Sequence, residues 1–325
     1  MLKVPDKFSP TPRKFTKEIF DLQVNGYAGV DFQNQASSAA IRHACERLRH
    51  DGVTRILATM ITQPASVLHE RLAAIQRYRD DDELIRETIV GYHLEGPHLS
   101  EEEGYRGAHP AELMTDPDWP EFLRFQESAG GLIRLVTIAP ERESAAEFIE
   151  NASRSGVRIS LGHTNANDNQ IDAAIAAGAT LCTHLGNGCP RCLPRHDNII
   201  QRLLARDELT ACVIPDGIHL PPGVLRNLYR AKPCGKVILT SDAMSAAGAG
   251  PGQYTLGTLQ MDVGEDAVVR MPGSEYFAGS ALRLTHGIAD AADWLGIGIN
   301  DAAEMASAIP AAALGLNWKS DSHEY

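Results

Sequence analysis

The strongest constraint on this chain is a repeated unit. A short β-rich run ends in a polar or glycine-containing loop, an Ala/Leu/Arg-rich helical stretch follows, and the pattern recurs eight times. The runs are EIFDLQV, TRILATMI, ETIVGYHL, LIRLVTIA, VRISLGH, ATLCTH, LTACVIP and KVILTSD. Between them, stretches such as SSAAIRHACERLRHDG and NDNQIDAAIAAGA space apolar residues three and four apart, as helices packed on a sheet do. Strands alternating with helices build a parallel sheet with crossovers, and eight of them favour closure into an α/β, (β/α)8 TIM barrel. A doubly wound open sheet is the alternative. It would normally have fewer strands and a glycine-rich phosphate turn after the first. The GAGPG at residues 248–252 instead follows the last strand, with no helix behind it.

The repeat assigns residues 16–316 to one catalytic barrel. Residues 1–15 are polar and carry Pro5, Pro10 and Pro12, which suits an extended arm. Residues 251–275 alternate apolar and polar with Gly and Pro punctuation, predicting two or three short antiparallel strands inserted after strand eight. From Ala278 to Leu316 the pattern is helical, and residues 317–325 form a frayed tail. With 43% hydrophobic and 22% charged residues, the chain is ordinarily globular. Its net charge of −12 argues against nucleic acid or an anionic membrane as partner. No apolar run is long enough to cross a bilayer, and the N-terminus lacks the apolar core of a signal peptide. Six cysteines in so long a chain read as reduced thiols, so the expected location is cytoplasmic.

Barrel enzymes carry their chemistry at the C-terminal ends of the strands. Metal-type and acid/base residues collect there: Gln23 and Asn25 at strand one, His93 and Glu95 at strand three, His163 at strand five and His184 at strand six. Asp216, with His219 just beyond it, ends strand seven, and Asp242 ends strand eight. Glu95, His163 and His184 are the nitrogen and carboxylate ligands that a catalytic zinc takes, with one position left for water. Such an ion lowers the pKa of that water to about 7, and Asp242 is placed to take its proton and pass it to a leaving group. Singly, each of these histidines reads as a hydrogen-bonded structural residue; it is their joint placement that points to a metal. His93 is open between scaffold and ligand. Neutral amides are weak ligands for transition metals, so Gln23 and Asn25 predict one ion rather than two. Zinc is the expected ion, although iron, cobalt and manganese accept the same set.

DLQVNGYAGVDF, GYHLEGPHLS followed by RGAH, LGHTNAN, THLGN, PDGIH, LTSDAMSAAG and FAGSAL occur in this order across residues 21–282. Together they resemble the motifs of the N-acetylglucosamine-6-phosphate deacetylase family in the amidohydrolase superfamily. That resemblance implies a metal held by Glu95, His163 and His184, with Asp242 as general base and acid. It also implies that His109 polarises the substrate carbonyl and that His219 contacts the sugar or its phosphate. Asn187 and Gly188 would meet the phosphate, and Arg195 would reach the neighbouring subunit's site in a homodimer. The implied substrate is an N-acetylated amino sugar, giving acetate and the free amine. After strand six the chain reads HLGNGCPRCLPRHDN where the family usually has His-Leu-x-Asn-Ala-Met.

The same core acting on a different, non-phosphorylated N-acyl substrate is a second reading, and a catalytically silent sugar-binding barrel is a third. Cys189 and Cys192 form a lone CPRC motif with a structural role or a redox one beside the site. His196 and Asp197 serve either the substrate or the solvated loop. Cys45, Cys182, Cys212 and Cys234 read as core or near-core thiols. Asp80, Asp81, Asp82 and Glu83 read as a solvated turn. Glu101, Glu102 and Glu103 lie in a loop expected to cover the site, where they would disfavour anions.

Overall fold

The computed structural model describes residues 15–273 and 277–316. Apart from Phe15, the arm assigned to residues 1–15 lies outside the described residues, as does the tail over 317–325. Eight strands pair in sequence order into one parallel sheet. They are β1 (Ile19–Val24), β2 (Val53–Ile61), β3 (Ile89–Glu95), β4 (Ile133–Ile138), β5 (Arg158–Leu161), β6 (Ala179–Cys182), β7 (Thr210–Val213) and β8 (Val237–Leu239). Each coincides with one of the eight β-rich runs. The fold is an α/β TIM barrel.

The seam between β8 and β1 closes without direct strand pairing. Just beyond β8, Ala243 bridges Val24, and its carbonyl accepts the Asn25 amide at 2.7 Å. Asp21 of β1 accepts hydrogen bonds from the Thr240 and Ser241 hydroxyls. At the other end, the carbonyls of Ala306 and Met305 accept the Phe20 and Leu239 amides, both at 2.8 Å. The C-terminal helix Ala308–Ala313 then adds Ala311 to Phe20, Leu22, Leu57, Leu135, Leu181, Cys212 and Ile238. These apolar side chains fill the barrel interior, so chemistry is confined to the opposite, open mouth.

The larger core lies between the sheet and its helices. Helix Ala145–Arg154 shows why they form: Ala145, Phe148, Ile149 and Ala152 repeat at three- and four-residue spacing and are buried, while Glu147 and Arg154 face outward. Helix Asp168–Ala177 is fixed at its start by a capping box between Asn167 and Gln170 and stopped by left-handed Gly178.

Residues 251–275 include three antiparallel strands, β9 (Gly252–Leu256), β10 (Leu259–Val263) and β11 (Val269–Arg270). Leu256, Met261, Val263 and Val269 pack with Ile61, Met244 and Ala246, which seats this small sheet beside the barrel mouth. The helical reading of Ala278–Leu316 needs correcting at its start. Helix formation begins at Leu284, because Ser280 is used as a bridge partner of Ala243.

Two further expectations change. Cys234 is exposed, whereas Cys45, Cys182 and Cys212 are buried. The run Asp80–Glu83 is not a simple turn. Asp80 and Asp81 finish helix Ala65–Asp81, and Asp82 caps the next helix, Glu83–Thr88, by accepting the Ile85 amide.

Candidate active site

Three of the strand-end residues share an unusual backbone state. His163, His184 and Asp242 have φ of 50°, 29° and 50°, the left-handed region that non-glycine residues seldom occupy. Each stands one or a few residues past its strand (β5, β6 and β8), where the chain turns out of the sheet. Strain of this kind persists only where packing over-determines it, and it gathers at functional sites. Here it turns three polar side chains into one mouth.

Glu95, His163 and His184 meet there, all buried. His184 Nε2 lies 3.1 Å from Glu95 Oε1 and 3.1 Å from His163 Nε2, and His163 Nε2 is 3.6 Å from the same carboxylate oxygen. His163 Nδ1 sits 2.8 Å from the Tyr105 carbonyl. A carbonyl can only accept, so Nδ1 carries the proton and the Nε2 lone pair points at Glu95 and His184. His184 Nδ1 is buried with no hydrogen-bond partner among the described residues. Two imidazole nitrogens and a carboxylate oxygen converging this closely suit a divalent cation. Burial acts to raise the Glu95 pKa, but the His163 and His184 imidazoles beside its Oε1 outweigh it and hold the carboxyl well below its usual range. It is therefore ready as an anionic ligand.

The two strand-one amides turn out to position carboxylates. Where β1 shifts register between Asp21 and Val24, Gln23 Nε2 donates to Glu95 Oε1 at 2.9 Å. Asn25 Nδ2 donates to Asp242 Oδ1 at 2.7 Å. Burial, reinforced by the Glu95 charge, raises the Asp242 pKa, so this carboxyl takes up a proton more readily than an ordinary aspartate. His93, left open by the sequence, belongs to the scaffold. It is buried, its Nε2 is 2.7 Å from Thr137 Oγ1, and burial depresses its pKa to about 4.

Asn25, Glu95, His163, His184 and Asp242 line a cavity of about 640 Å³ whose walls also include His109, Asn187, Gly188 and His219. Burial lowers the His109 pKa to about 3, so the ring is neutral. Its Nδ1 lies 2.9 Å from Thr62 Oγ1, and its ring centroid is 4.7 Å from that of His163. His219 is held by Asp216, whose Oδ2 is 2.6 Å from Nδ1, and it meets Phe277 edge-on at 5.1 Å. Gly188 is where the β6 loop presses on the imidazoles. A Cβ there would stand 3.0 Å from His163 Nδ1 and 3.2 Å from His184 Cε1, and φ is +61°.

Other expectations separate from the site. Arg195, His196 and Asp197 are exposed and outside the cavity lining, and Asp197 pairs with Arg202. The loop after β3 reaches the cavity through Gly104, Gly107, Ala108 and His109, not through its acids. Glu101 pairs with Arg142, and Glu102 accepts from Asn165, so the expected acidic cover over the cavity is not what forms. Sequence reasoning missed Tyr105, which acts through a main-chain carbonyl and so leaves no side-chain signal. It also missed Thr62 and the cavity-lining Leu256, Leu259 and Arg270 of the small sheet.

No family model matches the chain. Curated relatives do. It is 34% identical over 318 residues to N-acetylglucosamine-6-phosphate deacetylase of Danio rerio, covering 94% of this chain and 76% of that one. It is also 34% identical over 294 residues to N-acetylgalactosamine-6-phosphate deacetylase of Shewanella sp. (strain ANA-3), covering 90% and 72%. The chain belongs to the N-acetylglucosamine-6-phosphate deacetylase family. Its fold superposes on that deacetylase from Mycobacterium smegmatis, solved as a mutant in complex with N-acetyl-D-glucosamine-6-phosphate. The TM-score is 0.84 at 33% identity, over 93% of this chain and 78% of that one. It is thus a metal-dependent amidohydrolase acting on an N-acetyl amide bond.

Proposed function

We propose that the protein hydrolyses the acetamide of N-acetylglucosamine-6-phosphate to acetate and the amino sugar phosphate. The observation that carries this is the meeting of Glu95, His163 and His184 in one cavity with Asp242 and His109. Glu95, His163 and His184 would hold one divalent ion, for which zinc suits a nitrogen-rich set. When bound, that ion supplies Lewis-acid polarisation and acidifies water.

The chain's own groups do the rest. Asn25 orients the Asp242 carboxylate, which takes the proton of the attacking water and returns it to the departing amine. With the Thr62 hydroxyl donating to His109 Nδ1, the neutral ring keeps its proton on Nε2. There it donates to the acetyl oxygen as negative charge develops. Asn187, Gly188 and His219 also line the cavity and would contact the sugar and its phosphate. Arg191 and Arg270 are the cationic side chains among its described lining residues. Exposed Arg195, outside the lining of its own cavity, fits a residue that serves a partner's site in a homodimer. A phosphorylated metabolite as substrate agrees with a cytoplasmic location, and no described helix is long and apolar enough to cross a membrane.

Steady-state kinetics with N-acetylglucosamine-6-phosphate, its galacto epimer and unphosphorylated N-acetylglucosamine test the reading. The phosphorylated gluco sugar should give the highest kcat/KM. Equal values with and without phosphate would overturn the phosphate assignment, and a preference for the epimer would move the substrate to the galacto series.

A further inference from the structure

The segment after β6 that departs most from the resemblance is also a wall of the cavity. Asn187, Gly188, Cys189, Pro190, Arg191 and Leu193 all line it. At one end the wall is wedged against the imidazoles of His163 and His184 through Gly188. Its middle packs on the neighbouring loop, where a Cβ at Gly104 would stand 2.6 Å from Pro190 Cγ. At the other end Asn198 caps helix Ile199–Leu204. Between these anchors, residues 188–193 make no backbone–backbone hydrogen bond with the described residues. These residues belong to no helix or strand, so a change of shape here disrupts no regular element.

Two thiols sit on this wall. Cys189 is half-buried and faces the cavity, whereas Cys192 is exposed. Three residues of chain span at most about 11 Å, and a disulfide needs its Cα atoms within about 7 Å. Any contraction needed to join them falls within this irregular segment, between Gly188 and Leu193. The other thiols are not candidates for the same chemistry: Cys45, Cys182 and Cys212 are buried, and Cys234 is exposed away from the cavity lining.

We propose that Cys189 and Cys192 form a thiol–disulfide modification site on the wall of the catalytic cavity, which a small disulfide oxidises with loss of catalytic efficiency. The thiolate of Cys192 attacks one sulfur of the oxidant, such as oxidised glutathione. One glutathione leaves and a mixed disulfide forms. The Cys189 thiolate then attacks the Cys192 sulfur and expels the second glutathione. The two thiol protons end on the two departing glutathiones, the protein pair is oxidised and the small disulfide is reduced. The order follows accessibility, and burial, which pushes the Cys189 thiol up to about 11, suits it to the second, intramolecular step. Joining the sulfurs draws Cys189 toward Cys192 and pulls on Gly188, which abuts both imidazoles. The loss of efficiency, unlike the linkage itself, rests on the deacetylase reading.

The test uses the full-length, zinc-loaded protein carrying Cys234→Ser, treated with oxidised glutathione and then with dithiothreitol. Intact mass should fall by two hydrogens, with a peptide linking residues 189 and 192. kcat/KM should fall roughly tenfold or more, on the scale of a displaced wall, and recover on reduction. Adding Cys192→Ser should abolish both the mass change and the loss. Adding Cys189→Ser should instead leave a stable glutathione adduct. Failure of the wild-type pair to link, or linkage with kcat/KM unchanged, would overturn the proposal. Absence of turnover in the reduced protein would count against the deacetylase reading instead. The rate at which a chelator removes zinc would then be the readout, changing several-fold on oxidation if the proposal holds and staying constant if it does not.

Discussion

Asp242 is the residue on which hydrolysis turns, and its surroundings say how. It is buried, Asn25 orients it, and the Glu95 charge makes it more willing to hold a proton. Asp242→Asn should lower kcat by a factor of roughly a hundred to ten thousand, the range for a lost general base. The content of bound metal, read by elemental analysis, should stay the same. Unchanged turnover would remove Asp242 from the reaction. A second residue-scale prediction concerns pH. His98 is buried with Nδ1 3.1 Å from the Thr115 carbonyl, and burial depresses its pKa to about 4. The unfolded chain would take up this proton near pH 6.5, so the stabilisation is present above that value and is lost as pH falls toward 4. Each such imidazole contributes a slope of up to ~1.4 kcal/mol per pH unit. Asp31 acts in the opposite direction, since burial raises it to about 6. Comparing His98→Gln with the parent isolates the imidazole: urea midpoints of the variant should fall less steeply between pH 6.5 and 4. At this scale the sequence was legible for side chains that do chemistry at strand ends. It was silent on Tyr105, whose carbonyl sets the His163 tautomer, and on the distance that makes His93 scaffold.

At the scale of elements, the eight β-rich runs were readable because parallel barrel strands are buried on both faces and flanked by polar turns. The short second helix after Asp82 was not. Its six residues carry too little periodicity, and its signal is a single cap. The 251–275 segment showed its antiparallel alternation plainly. That it folds against Ile61 and Met244 and lends Leu256, Leu259 and Arg270 to the cavity is a tertiary fact with no local signature. Element stability gives its own tests. Asn167→Ala breaks the capping box of helix Asp168–Ala177 and should cost about 1 kcal/mol in denaturant unfolding. Phe148→Ala empties the contact among Trp119, Phe122 and Phe148 and should cost ~3–5 kcal/mol. A larger effect from the cap than from the core would contradict this ordering.

For the whole molecule, the barrel is an apparatus for convergence. Glu95, His163, His184 and Asp242 come from four strands and are brought together because the interior is plugged with apolar side chains at one end and left open at the other. The order of the strands was legible from the repeat, and closure followed from their number. The way the seam closes, through Ala243 and the carbonyls of Met305 and Ala306, was not, since it pairs residues far apart with no pattern in common. The most direct measurement of the central claim is acetate release from N-acetylglucosamine-6-phosphate while zinc is titrated into chelator-stripped protein. Activity should rise linearly and level off at one ion per chain for the parent, and stay at the floor for Glu95→Ala. Full activity in the stripped protein, or an undiminished response in Glu95→Ala, would contradict the account.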